Sequence, residues 1–177
     1  MSFDREKFKR LVHYVIWRAG HRDGFGATKL NKVLWFSEAR AYVLTGKPIT
    51  GATYVRQKHG PVPREFMPIR HELEVDKLIR VVEPRTQYEH TQFTALRPAD
   101  ASFLSDAERQ TVEFWINHID QEHTATSISE ESHDYAWEIA EMGEVVPYYA
   151  ILSERVRDPN DAELAWAAKR AKELGLP

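Results

Sequence analysis

Lys29-Leu30-Asn31-Lys32-Val33-Leu34-Trp35-Phe36, followed along the chain by His59-Gly60-Pro61-Val62, is the stretch that decides the fold. Leu30, Val33, Leu34, Phe36, Ala41 and Leu44 cover most of a helical circumference, so this segment predicts the central buried helix. Thr28 is the expected N-cap, and Gly46 marks the stop after Thr45. A turn at Gly46, Lys47 and Pro48 leads into a short extended piece through Tyr54 and Val55. At the corner, Gly60 permits a positive φ or a close backbone approach, and Pro61 fixes the next φ. The corner predicts a rigid elbow that opens a third helix at Pro63, using Phe66, Ile69 and Leu73 and ending near Lys77.

Working outward, Phe8, Leu11, Val12, Val15, Ile16 and Ala19 form one apolar stripe and predict a first helix from about Asp4 to Arg18. Ser105 with Glu108 three residues on is a capping box, which opens a fourth helix carrying Val112, Trp115, Ile116 and Ile119. A fifth helix is expected from about Ser127 to Glu141, placing Ile128, Tyr135 and Ile139 together and ending at Gly143. Val145 to Tyr149 is expected to be extended. A sixth, Ala-rich helix is expected from about Pro159 to Leu174. Between the third and fourth helices the period changes. Ile79, Val81 and Val82, then Phe93, Ala95 and Leu96, flank a polar stretch and read as a β-hairpin. A strand over Ala52 to Lys58 would make the sheet three-stranded. The fold class is α+β and mostly helical, with about six helices, a small antiparallel sheet, and an order like that of a winged helix.

With 177 residues the chain has enough length for one sizeable domain without metal or disulfide staples. It has no cysteine, which excludes a disulfide framework, thiol chemistry and Cys-type zinc. The charged N-terminus and the lack of a long apolar run argue against a secretory signal and a membrane span, and a cytoplasmic location is expected. Net charge is −3, unevenly spread. Residues 1–85 hold 17 Lys/Arg and 9 Asp/Glu, a net of +8, and residues 86–177 hold 7 and 18, a net of −11. Either the halves pack together and cancel, or one presents a charged binding face.

Few motifs carry chemistry. Gly24-Phe25-Gly26-Ala27-Thr28-Lys29 precedes a helix, but it is no Walker loop and no strand leads into it. His118, Glu122 and His123 cluster near a helix end without a His-Glu-x-x-His pattern, so ordinary surface histidines are expected. Ser132-His133-Asp134 holds triad residue types side by side, which on a helix point apart. His133 and Trp137, one turn apart, are expected to share a face. The corner has two readings: a structural elbow, or a preformed contact surface of Lys58, His59 and Arg64. A winged-helix reading would use Arg64, Arg70 and Lys77 on the third helix, with Arg80 and Arg85 on the wing. Glu65, Glu72, Glu74 and Asp76 on the same helix would repel phosphate.

Over about residues 5–150 the chain resembles the SocA-like antitoxin family, the Panacea domain. The resemblance rests on four blocks in order. They are the Lys29–Phe36 helix; Gly46, Pro48 and Ile49-Thr50-Gly51; Tyr54 with His59-Gly60-Pro61-Val62; and Ser132-His133 with Trp137, then Val146-Pro147-Tyr148. Trp35 stands where tyrosine is usual. The resemblance implies an interaction module and not an enzyme, with no cofactor and no metal. Its expected partner is a cognate protein toxin encoded by an adjacent gene. A AAA+ protease is a further partner if the protein acts as a proteolytic adaptor, and many relatives lie in prophage or mobile-element contexts. Family-motif or partner-binding candidates are Lys29, Lys32, Trp35, Tyr54, His59, Gly60, Pro61, Arg64, His133, Trp137, Pro147 and Tyr148. Trp35, Tyr54 and Arg64 qualify as docking anchors only if exposed. A DNA-binding regulator is the alternative. The expected division is a domain over residues 1–155 and a C-terminal amphipathic helix over 156–177, packed on that domain or on a partner.

Overall fold

The structure is a computed structural model and describes residues 2–86, 89–155 and 161–173. Helix α1 (Arg5–Ala19) is capped by Asp4, whose carboxylate accepts from Lys7 N at 2.9 Å. Its stripe of Phe8, Leu11, Val12, Val15, Ile16 and Ala19 is fully buried, as the spacing predicts. Helix α2 (Ala27–Thr45) lies at the centre, and Leu30, Val33, Leu34 and Trp35 have no exposed surface. It begins two residues earlier than Thr28 suggests, with Gly26 as N-cap and no side-chain cap bond. Gly46 ends it in the left-handed conformation at φ 73°.

The Gly-Pro corner departs from the predicted elbow. Strand β1 (Tyr54–Gln57) pairs antiparallel with β2 (Gly60–Pro63), Gln57 opposite Gly60 and Tyr54 opposite Pro63. Lys58 and His59 are therefore the tip of a tight hairpin. Pro63 is a strand residue and does not open a helix. Arg64 N donates to Thr53 O at 2.8 Å, which holds the chain extended past Pro63. Helix α3 (Phe66–Val75) starts only after Glu65.

A second hairpin, β3 (Ile79–Val82) and β4 (Gln92–Ala95), forms as the period change predicts. The two hairpins do not join into the expected three-stranded sheet. The free edge of β1 is taken by a later segment: Val146 N donates to Tyr54 O, Arg56 N to Glu144 O and Gly143 N to Arg56 O, at 2.8–2.9 Å.

Helix α4 (Asp106–Glu122) carries the Ser105/Glu108 capping box and packs on α2. The expected fifth helix is broken in two, α5 (Ala125–Glu131) and α6 (Tyr135–Glu138). Asp134 is extended at ψ 175°, and its carboxylate caps Trp137 N at 2.9 Å, so a new helix starts there. Ile128 is consequently buried while Tyr135 and Ile139 face solvent. Val145 pairs with Val55, but Tyr148 and Tyr149, expected to be extended, open a 3-10 helix (Tyr148–Arg155). Helix α7 (Asp161–Glu173) matches the expected sixth helix; Leu174 and the division at 155/156 involve residues outside those described.

The two charged halves do meet. Lys7 pairs with Glu108 at 2.7 Å, Arg18 with Glu113 at 2.6 Å, and Arg22 with Asp120 at 3.0 Å. Such partly exposed pairs each contribute about 0–1 kcal/mol, so they orient α1 on α4 more than they stabilise it.

Candidate functional site

Three of the sequence blocks converge on one buried point. Lys32 of α2 is 1% exposed, and its Nζ donates to Pro61 O at 3.1 Å. Burial lowers its pKa from 10.5 to about 7, against the opposing pull of Asp134. Gly60 lies directly against this ammonium at φ 93°, and an added Cβ would come within 3.0 Å of both Lys32 Nζ and Ser132 Oγ. Ser132 is fully buried and donates through Oγ to Ser129 O at 2.7 Å. Only a residue without a side chain fits at position 60, and the conformation there also favours glycine.

A stack of rings extends this junction toward solvent. His133 lies on Trp137 with ring centroids 3.8 Å apart and planes 13° from parallel. The Arg56 guanidinium lies over the same indole at 3.7 Å. Trp137 Nε1 donates to Gln57 O at 3.1 Å, and Arg56 Nη1 donates to Glu138 O and Ala140 O at 3.2 and 2.6 Å. The β1–β2 hairpin is thereby fastened to α6. Burial lowers the His133 pKa, and Lys32, Arg56 and His59 push it the same way, so the stacked imidazole is neutral at physiological pH.

Beneath the hairpin lies an aromatic floor. Trp35 packs on Tyr54 at 4.9 Å and on Tyr148 at 5.9 Å, and Tyr148 OH donates to Ala52 O at 2.7 Å. Pro147 is half-buried just before the 3-10 helix that carries Tyr148. Glu38, fully buried, accepts from Thr50 N at 3.0–3.1 Å and from the Thr50 hydroxyl, and so fastens the Ile49-Thr50-Gly51 turn to α2. Burial raises its pKa from 4.5 to about 7.

Of the predicted docking anchors, Trp35 and Tyr54 are corrected. They are 0% and 1% exposed, so neither meets the exposure that an anchor needs, because each side chain fills the core between α2 and the hairpin. Lys29 is also buried and points to α4, where Nζ donates to Asp120 O at 3.4 Å. His59 and Arg64 are exposed. With Lys58, His59 borders a cleft of about 330 Å³ whose far wall is Thr28, Ser129, Glu130 and His133. A run of exposed apolar side chains follows: Tyr135, Ile139, Met142, Val145, Tyr149 and Leu152. Arg56 and Glu38 escape the sequence reading, and Ser132, read there as part of a motif block, is not assigned its buried contact. Their signal is a charged or hydroxyl residue inside an otherwise apolar segment, which gives no hint of its distant partner.

The blocks that converge here also match a known family in sequence. The model of the family "Antitoxin SocA-like, Panacea domain" matches residues 30–138, well over half of the chain. The chain belongs to the SocA-like antitoxin family. The matched region runs from α2 to α6 and contains the whole Lys32–Gly60–Ser132 junction and the His133–Trp137 stack. No curated protein and no solved structure matches. The Panacea domain is an antitoxin-type domain and not a known enzyme family. Among the described residues, no helix is long and apolar enough to cross a membrane.

Proposed function

We propose that this chain is an interaction module that binds and neutralises a cognate protein toxin, the product of an adjacent gene. The supporting observation is the bracing of the β1–β2 hairpin. Its backbone is held from below by Lys32 and from the side by Trp137, so Lys58 and His59 at its tip and Arg64 beyond it form a preorganised basic edge. A surface that does not have to be ordered on binding loses less conformational entropy in the complex. The neighbouring exposed apolar run from Tyr135 to Leu152 supplies the apolar area a stable interface needs. In this reading residues 1–155 form the toxin-binding domain, and the C-terminal segment with α7 packs on it or on the partner. Delivery of the bound toxin to a AAA+ protease is the finer form of the proposal.

No observation favours the DNA-binding reading. Arg70 is paired with Glu83 at 2.7 Å, and Glu72 of α3 and Asp76 just after it face Arg5 and Lys9 of α1, so α3 is packed against α1 rather than offered to a groove. Co-expression with the adjacent gene product tests the proposal, scoring growth and co-purification. A neighbour that is toxic alone, tolerated with this protein and captured by it supports the assignment. A harmless neighbour that does not co-purify sinks it. Toxin half-life with and without the protease tests the adaptor form.

A further inference from the structure

We propose that His118, His123 and Glu131 form a binding site for a divalent transition-metal ion of the zinc class. The three lie outside the Lys32–Gly60 junction, where the end of α4 meets the end of α5. One ligand atom from each falls within 4.8 Å of the others. His123 Nε2 is 3.4 Å from a Glu131 carboxylate oxygen. That is close to the ligand–ligand separation which bonds of roughly 2.0–2.1 Å impose at a tetrahedral zinc ion. The rings of His118 and His123 meet edge to face at 5.1 Å, and Phe114 stacks on the outer face of His118 at 5.4 Å. The Glu131 side chain is 45% exposed, so its rotation closes the remaining gap.

The surroundings prepare His123 as a ligand. Ser127 Oγ accepts from Thr124 N at 3.0 Å and lies 3.4 Å from Thr124 O, toward which its own proton points. His123 Nδ1 lies 3.3 Å from this oxygen, which Thr124 Oγ1 also approaches at 3.4 Å. In the tautomer that protonates Nδ1 toward Ser127, the Nε2 lone pair is turned toward Glu131. Two acceptors opposed at 3.4 Å need a cation between them, either a proton or a metal. A ring nitrogen held by a hydrogen bond while the other binds metal is the usual outer support of a histidine ligand. Two imidazoles and one carboxylate suit zinc, cobalt, nickel or copper better than magnesium or calcium. Three protein ligands leave a fourth position open to water.

The sequence concealed this set. Glu122, which shares a helix face with His118, points to solvent, and the third ligand comes from across a turn. The site also has a structural consequence. Glu131 immediately precedes Ser132, so a bound ion would fix the segment that brings Ser132 and His133 to the hairpin.

The test is calorimetric titration of chelator-stripped, dialysed full-length protein with Zn²⁺, followed by the visible bands of added Co²⁺. One equivalent should bind, and the Co²⁺ bands should report tetrahedral coordination. His118→Ala, His123→Ala and Glu131→Gln should each weaken binding by roughly tenfold or more, while His71→Ala, an exposed histidine on α3, should not. Glu131→Gln alters an exposed side chain, so it stays informative even if a histidine variant misfolds. Absence of binding, or binding unchanged in Glu131→Gln and His123→Ala, overturns the proposal and leaves a His123–Glu131 ion pair.

Discussion

Replacing Gly60 by alanine tests the convergence of three sequence blocks at one point. Two contributions follow from the geometry. A Cβ residue held at φ 93° loses roughly 1–2 kcal/mol relative to glycine. The methyl also displaces Lys32 Nζ or Ser132 Oγ, and losing a hydrogen bond from a charged donor removes about 1.5–3 kcal/mol. Alanine returns about 0.4–1 kcal/mol by restricting the unfolded chain. The net loss should be about 2–4 kcal/mol, read as ΔG from urea unfolding at constant m-value. Gly46→Ala is the internal control. It shares the positive φ, at 73°, but its Cβ would meet nothing within 4 Å. The difference between the two variants isolates the crowding against Lys32 and Ser132. If Gly60→Ala is no more destabilising than Gly46→Ala, the three blocks do not interlock as described.

Trp137→Ala should remove about 2–3 kcal/mol by taking away the surface under His133 and Arg56. Trp137→Phe should recover most of that and lose only about 1 kcal/mol, for the bond to Gln57 O; equal losses in circular-dichroism melts would argue against the stack. Glu38 is raised from 4.5 to about 7, so the native state holds its proton more tightly and stability falls as pH climbs between those values, by about 3 kcal/mol. Lys32 is lowered from 10.5 to about 7, so the unfolded chain holds its proton more tightly and stability rises as pH climbs from about 7 to 10.5. Glu38→Gln should flatten the acid limb of urea midpoint against pH, and Lys32→Met the alkaline limb; limbs that survive both substitutions refute the assignment. Arg64→Glu should leave the melting temperature unchanged and weaken toxin capture at least tenfold, and undiminished co-purification would remove the basic edge from the interface.

Much of the fold is legible in the chain because local signals and burial agree. The stripe from Phe8 to Ala19 places its helix within a residue of both observed ends, and the Ser105/Glu108 capping box places the start of α4. The failures occur where a distant contact outweighs a local preference. Pro63 has the chemistry of a helix start, but Thr53 O captures the next amide and keeps the segment in a strand. The 127–141 segment has helical periodicity, yet Ser132 and Asp134 turn their side chains onto the backbone and break it. For the site, the blocks containing Lys32, Gly60 and His133 are readable, but their meeting is not. Nothing in Trp35 or Tyr54 as residue types distinguishes a core aromatic from an exposed anchor. Trp137 meets Arg56 and Gln57, the latter 80 positions away in the chain, beyond the reach of any local pattern.

The ion pairs between α1 and α4 bear on the order in which the chain is made. Residues 1–85, with a net charge of +8, are made before Glu108, Glu113 and Asp120. Until then the nascent half is a polybasic surface beside ribosomal RNA, which attracts such surfaces without regard to sequence. Closure of α4 over α1 therefore also lowers the charge of the growing chain, from +7 through Ser105 to +3 through Glu122, and the residues after α4 carry it to −3.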